Sequence, residues 1–262
     1  MMRNVAAFVY PLISLAVIVL VWHVSVIALE VPSYVLPAPF DVARAFVNGF
    51  ATGLFWGHLW YTTVEVVVGY VLGSLLALVL GAALAESRTF ERFVYPIILG
   101  LQAMPKVALA PLLLVWFGFG IESKIILVML ICFFPLCVNT VVGIRQTDPE
   151  LIDLCRAFST SRLYIFFNVK LPTAAGAIFA GLQVGVSLAL IGAVVGEFIA
   201  SQRGIGYMIN ASTVSMNVSN MFAGVFLLAF MGIAGAQLVR YLHRKVVFWE
   251  DEAGSGTGTG AF

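Results

Sequence analysis

The chain has 262 residues, of which 61% are hydrophobic and only 10% charged, with a formal net charge of +1 and a mean hydropathy of +1.04. Soluble domains run at roughly 45–50% apolar and 25% charged residues, so this composition belongs to a bilayer. The near-zero net charge excludes a nucleic-acid binder, because no basic stripe is available to neutralise phosphates.

A helix needs about 20 apolar residues to cross the hydrocarbon core. Six segments approach or reach that length, at about 8–29, 59–84, 93–117, 125–144, 173–200 and 220–242. The expected fold is therefore an all-α polytopic membrane protein with six spans, forming a single domain over 1–249. The first run follows only Arg3 and lacks a small-residue cleavage site, which reads as a retained span rather than a signal peptide. Residues 30–58 then form a connection in which VPSYVLPAP is extended and 41–50 is a short surface helix. Pro105 and Pro111 lie inside the third segment, where each removes a backbone donor, so a break is expected at Met104 to Lys106. Residues 204–219 read as a second loop, and 250–262, acidic and then Gly/Thr-rich, as a disordered tail.

The longest polar interruption is 145–172, RQTDPELIDLCRAFSTSRLYIFFNVKLP. Asp148 suits a helix cap and Pro149 a first turn, while Leu151, Leu154, Cys155 and Phe158 recur on one helical face. Ser161 caps a second short helix, and Pro172 stands at the mouth of the next span. The interval is a folded elbow presenting a docking surface.

Basic residues set the orientation. With the N-terminus inside, the inner segments hold Arg3, Arg88, Arg92, Arg145, Arg156, Arg162, Lys170, Arg240, Arg244 and Lys245, and the outer ones only Arg44, Lys124 and Arg203. This bias puts both termini and the elbow in the cytoplasm.

Two spans carry small residues at four-residue spacing, a pattern that lets helices approach closely in lipid. One row is Glu65, Gly69, Gly73, Ala77, Gly81, and the other is Ala177, Gly181, Gly185, Ala189, Ala193, Glu197. Each row contains a carboxylate at its outer end, read either as helix packing at headgroup level or as part of a translocation path or outer gate. Lys106, beside the helix break, must find a partner, water or an anion. It either bridges to Glu65 or Glu197 or lines a polar path with Met104, where it favours anionic or strongly hydrogen-bonding solutes.

No catalytic constellation is present. The tail's GSGTGTG has no lysine, follows no strand and opens no helix, so it is no phosphate loop. His23, His58 and His243 are far apart, and Cys132, Cys137 and Cys155 show neither a metal-like cluster nor a disulfide framework.

The elbow resembles the signature cytoplasmic loop of ABC importer permeases, Glu-Ala-Ala, three residues, Gly, then about nine residues to an apolar-Leu-Pro. Aligned on Lys170-Leu171-Pro172, Asp153, Leu154 and Cys155 stand for the triplet and Ser159 for the glycine, while Arg162 and the spacing agree. Further stretches resemble the branch carrying nitrate, sulfonates, taurine and pyrimidine precursors of thiamine. These are Val31-Pro32-Ser33, Leu36-Pro37-Ala38-Pro39, Met104 to Leu112, Trp116-Phe117-Gly118, Phe133-Phe134-Pro135, Asn139-Thr140, Gly143, Gly196-Glu197-Phe198 and Gly204-Ile205-Gly206-Tyr207.

The resemblance implies a type I importer permease of the bacterial inner membrane, with two copies around one path. The elbow residues Asp153, Leu154, Cys155, Phe158, Ser159 and Arg162 would couple to two cytoplasmic ABC ATPase subunits, which bind ATP and Mg. A periplasmic or lipid-anchored solute-binding protein would deliver a small organic anion or heteroaromatic solute to the outer loops. Two rival readings are an ion-coupled carrier or channel worked by Glu65, Lys106 and Glu197, and a membrane scaffold without transport.

Overall fold

The computed structural model describes residues 2–249, and every regular element among them is helical. The predicted tail, 250–262, lies outside the described residues. Four helices are long and apolar enough to cross a membrane: α3 (Leu54–Glu86), α6 (Ile121–Arg145), the run Arg162–Ala200, and α11 (Val218–Val246). A fifth span is made if the bent pair α4 (Arg88–Ala103) and Lys106–Phe117, which ends in α5 (Ala110–Phe117), counts as one. The first expected span falls in α1 (Met2–Ala28), whose apolar stretch Leu12–Ala28 is shorter than the other four.

The chain divides into two compact units. Met1–Tyr61 with Gln202–Ala229 make one, and Thr62–Ser201 with Phe230–Phe262 make the other. In the first, α2 (Pro39–Ala51) starts on a proline, which lacks only a donor that the first turn leaves unused anyway. Its Gly49 accepts the ring of Phe55 so closely that a Cβ there would lie 2.3 Å from Phe55 Cζ. Residues 204–219, expected as a loop, are instead mostly α10 (Ile205–Val214), entered through Gly204 at φ +104°. The buried side chains of Ile205, Met208 and Ile209 explain why: the segment has an apolar face to cover.

The second unit is built on α6. The small rows of α3 and of α9 (Leu171–Ala200) both turn towards it. A Cβ on Gly73 would come within 2.7 Å of the Met129 carbonyl oxygen, and one on Gly143 within 2.8 Å of Ala177 Cβ. Helices this close gain dispersion contacts, which drive association in lipid where no hydrophobic effect separates helix from tail. Pro135 sits inside α6, and Asn139 Nδ2 donates to its carbonyl at 2.8 Å.

The third segment breaks where the prolines stand. α4 ends at Ala103, Met104 and Pro105 are extended, Lys106–Leu109 form one tight turn, and α5 follows with Pro111 in its first turn. The two limbs meet at 90°. The second elbow helix is not a separate element. α8 (Arg162–Ile165) passes through a π turn at Phe166–Lys170 straight into α9, and that wider turn accommodates the donor missing at Pro172.

Candidate functional site

The elbow is centred on α7 (Pro149–Ala157). Asp148 accepts a hydrogen bond from the Glu150 N–H at 2.9 Å, and Ser161 accepts from the Tyr164 N–H at 3.3 Å, so both predicted caps are made. Leu151, Leu154 and Phe158 are exposed, Phe158 by 78%, and Cys155 is half-buried. Asp153 pairs with Arg156 one turn on, at 3.1 Å, and Arg162 is exposed at the first position of α8. The capped nine-residue helix thus presents an apolar strip that faces away from its own protein.

Ion pairs brace the elbow on both sides. Arg145, the last residue of α6, binds Glu91 of α4 at 2.5 Å and reaches the Leu84 carbonyl, and Lys170 binds Glu86, the last residue of α3, at 2.5 Å. These pairs are half-exposed and individually worth little. Their effect is geometric: the two points where the chain leaves and re-enters the spans are each tied to a neighbouring helix.

Ser159 lies at φ +54°, a left-handed conformation that disfavours any residue with a Cβ. Ser159→Gly is expected to raise stability by about 1 kcal/mol, read as a higher Tm, without altering the exposed face of α7.

The residues predicted for the path separate into two places. Met104 is exposed at the break between α4 and α5. Lys106 bridges to neither Glu65 nor Glu197: its Nζ donates to the Gln102 carbonyl at 3.1 Å and sits 5.0 Å from the centre of the Phe134 ring. The helix break supplies the reason, since it frees the Gln102 carbonyl one turn back and puts the ammonium over an aromatic face. Glu197 is buried inside the packing of α9, where its Oε1 accepts from Thr62 Oγ1 at 2.6 Å. Lys124, by its place in the sequence an outer-segment charge, is not in a loop. It is instead 1% exposed in the first turn of α6, and its charge interacts with Glu65 and Glu197. Its only signal in the sequence is its place at the head of an apolar run, because Glu65 and Glu197, the buried acids it meets, are far away along the chain.

In the unit containing α2, an open polar groove of about 500 Å³ is lined by Asp41, Arg44, Asn48, Asn217, Ser219 and Asn220 among others. His58 Nδ1 accepts from the Gly204 N–H at 3.1 Å, and its ring stacks on Tyr207. Among the described residues no group of three or more His, Cys, Asp or Glu could hold a metal.

Residues 69–248 match the model of a family described as the binding-protein-dependent transport system inner membrane component. The chain belongs to this family. The permease is 34% identical to the riboflavin transport system permease protein RibX of Chloroflexus aurantiacus, covering 95% of this chain and 94% of that protein. It is 33% identical to the putative aliphatic sulfonates transport permease protein SsuC of Bacillus subtilis, over 90% of this chain and 86% of the relative. Its fold is similar to that of a chain from the MetNI methionine ABC transporter in an inward-facing conformation, with a TM-score of 0.58 at 19% identity, covering 72% of this chain and 95% of that one. The permease is thus a transport component of an ABC importer and not its ATPase. This membership sets aside the carrier and scaffold readings.

Proposed function

We propose that two copies of this permease form the translocation path of a bacterial inner-membrane importer for a small organic anion or heteroaromatic solute. The exposed apolar face of α7, fixed by caps and braced by ion pairs, carries the proposal. That face docks on a cytoplasmic ABC ATPase, one per permease copy, and ATP with Mg binds there. Both termini lie on the same side as the elbow, as the distribution of Lys and Arg favours. Closure of the ATPases draws the elbows together, and the tied ends of α3, α6 and α9 pass that movement to the spans.

The path runs along the break between α4 and α5, where Met104 is exposed and Lys106 stands ready to meet an anion or a strong acceptor. Relatives named for riboflavin and for aliphatic sulfonates fit that chemistry, since both solutes are rich in acceptors. An external binding protein delivers the solute onto the outer groove lined by Asp41, Arg44 and Asn217.

The test is uptake by proteoliposomes containing the permease and its ATPase, with binding protein outside and ATP inside. Uptake of a sulfonate or a heteroaromatic solute that requires both, and survives a protonophore, is the expected result. Uptake that needs no ATP and collapses with the protonophore overturns the reading. Arg162→Glu in the same assay is expected to leave Tm unchanged or slightly raised, because an acid suits a helix N-terminus, yet to lower uptake several-fold by reversing the charge offered to the ATPase.

A further inference from the structure

Opposite the elbow, α3, α6 and α9 meet around four buried polar side chains. Thr62 and Glu65 are fully buried on α3, and Lys124 of α6 and Glu197 of α9 are each 1% exposed. The carboxyl of Glu65 faces that of Glu197, and neither Glu65 oxygen has a hydrogen-bond donor. Glu197 takes the Thr62 hydroxyl, and Lys124 Nζ is held by the carbonyls of Phe119 and Gly120 at 3.1 and 3.0 Å. The Lys124 stem lies along Gly196, beside a void of about 10 Å³, room for about one water. Below the cluster the packing is apolar, with Val128, Cys132, Ala189 and Ala193 buried and Val66 and Tyr70 against them.

Two facing carboxyls that are both acceptors repel unless a hydrogen lies between them. Charge arithmetic gives the same answer. Two carboxylates and one ammonium sum to −1, and a single proton brings the buried sum to zero. Glu122, in the same helix turn, also acts on Lys124 but is exposed to solvent, and α5 brings no titratable residue to the void.

We infer that Glu65 and Glu197 form a buried proton-binding site, in which one proton is shared between the two carboxyls and Lys124 neutralises the remaining charge. The site joins three membrane-spanning helices at the end remote from the ATPase. Binding a proton there is a property of the folded permease that its role in transport neither requires nor supplies.

The site is read on the full chain in nanodiscs, without any solute or ATPase, so its failure is separate from failure of the transport reading. Infrared spectra at neutral pH are expected to show the carbonyl stretch of one protonated carboxylic acid, shifted by deuterium and missing in Glu65→Gln. That variant exchanges the shared proton for an amide N–H and keeps the cluster neutral, so its Tm is expected within a few degrees of the parent. Lys124→Met leaves one buried negative charge, so its Tm is expected to fall on the order of 10 °C at neutral pH and to recover on acidification as a second proton binds. In Lys124→Met combined with Glu65→Gln and Glu197→Gln, Tm is expected to recover at every pH. Absence of the protonated-acid band from the parent protein, or Glu65→Gln proving as damaging as Lys124→Met, overturns the inference.

Discussion

Leu154→Pro is expected to abolish coupled uptake while leaving the permease in the membrane. A proline at this position removes a donor inside α7 and its ring clashes with the preceding turn, costing about 3 kcal/mol of local helix stability. A helix of nine residues with no fully buried side chain has little packing to offset that loss. Its exposed strip would no longer be a rigid surface, and because every 1.4 kcal/mol is tenfold in an equilibrium, docking should weaken by more than about a hundredfold. The measurement is paired: ATP hydrolysis and solute uptake in the same proteoliposomes, with membrane-inserted permease quantified alongside. Hydrolysis that persists without binding-protein stimulation, together with lost uptake, is the expected pattern. Stimulated hydrolysis and normal uptake in this variant would show that α7 does not carry the stroke.

The second large effect lies within the spans. At Gly73→Leu the new Cβ would stand 2.7 Å from a backbone oxygen of α6, an atom that cannot rotate away, so α3 and α6 must separate along their whole contact. Overpacking of a tight core costs about 1–3 kcal/mol, occasionally more, and a leucine adds three further carbons to the clash. The variant is expected to be nearly absent from the folded fraction after detergent extraction, measured by size-exclusion profile. Gly100→Leu is the control, since a Cβ there meets nothing within 4 Å, and it should extract as the parent does. Equal yields for the two would mean that the α3 row is not a packing face.

Much of the elbow was legible in the sequence because its signals are local. A cap at Asp148, a first-turn proline at Pro149 and apolar residues at helical spacing act within one or two turns of themselves, and α7 occupies the stretch they mark. The break at Met104 to Lys106 was legible for the same reason, since a proline imposes its geometry on its nearest neighbours. Ser161 marks where the second elbow helix starts, but no local signal marks that it has no end of its own: a π turn before Pro172 lets one helical run continue from Arg162 to Ala200.

The charges behaved differently. Sequence alone determined that this chain lives in a bilayer, where its helices begin and break, and that an amphipathic finger interrupts the spans, because each follows from composition or from contacts a few residues apart. It also singled out Glu65 and Glu197, through the small rows that end on them. Only the tertiary structure decided which cation answers those acids. Lys106 had the conspicuous position, but the helix break leaves it a carbonyl and an aromatic face. Lys124 looked like a loop residue and is buried beside both carboxylates. A charge's partner is set by distance in space, and α3, α6 and α9 bring together residues whose separation along the chain, 135 positions between Thr62 and Glu197, hides that distance completely.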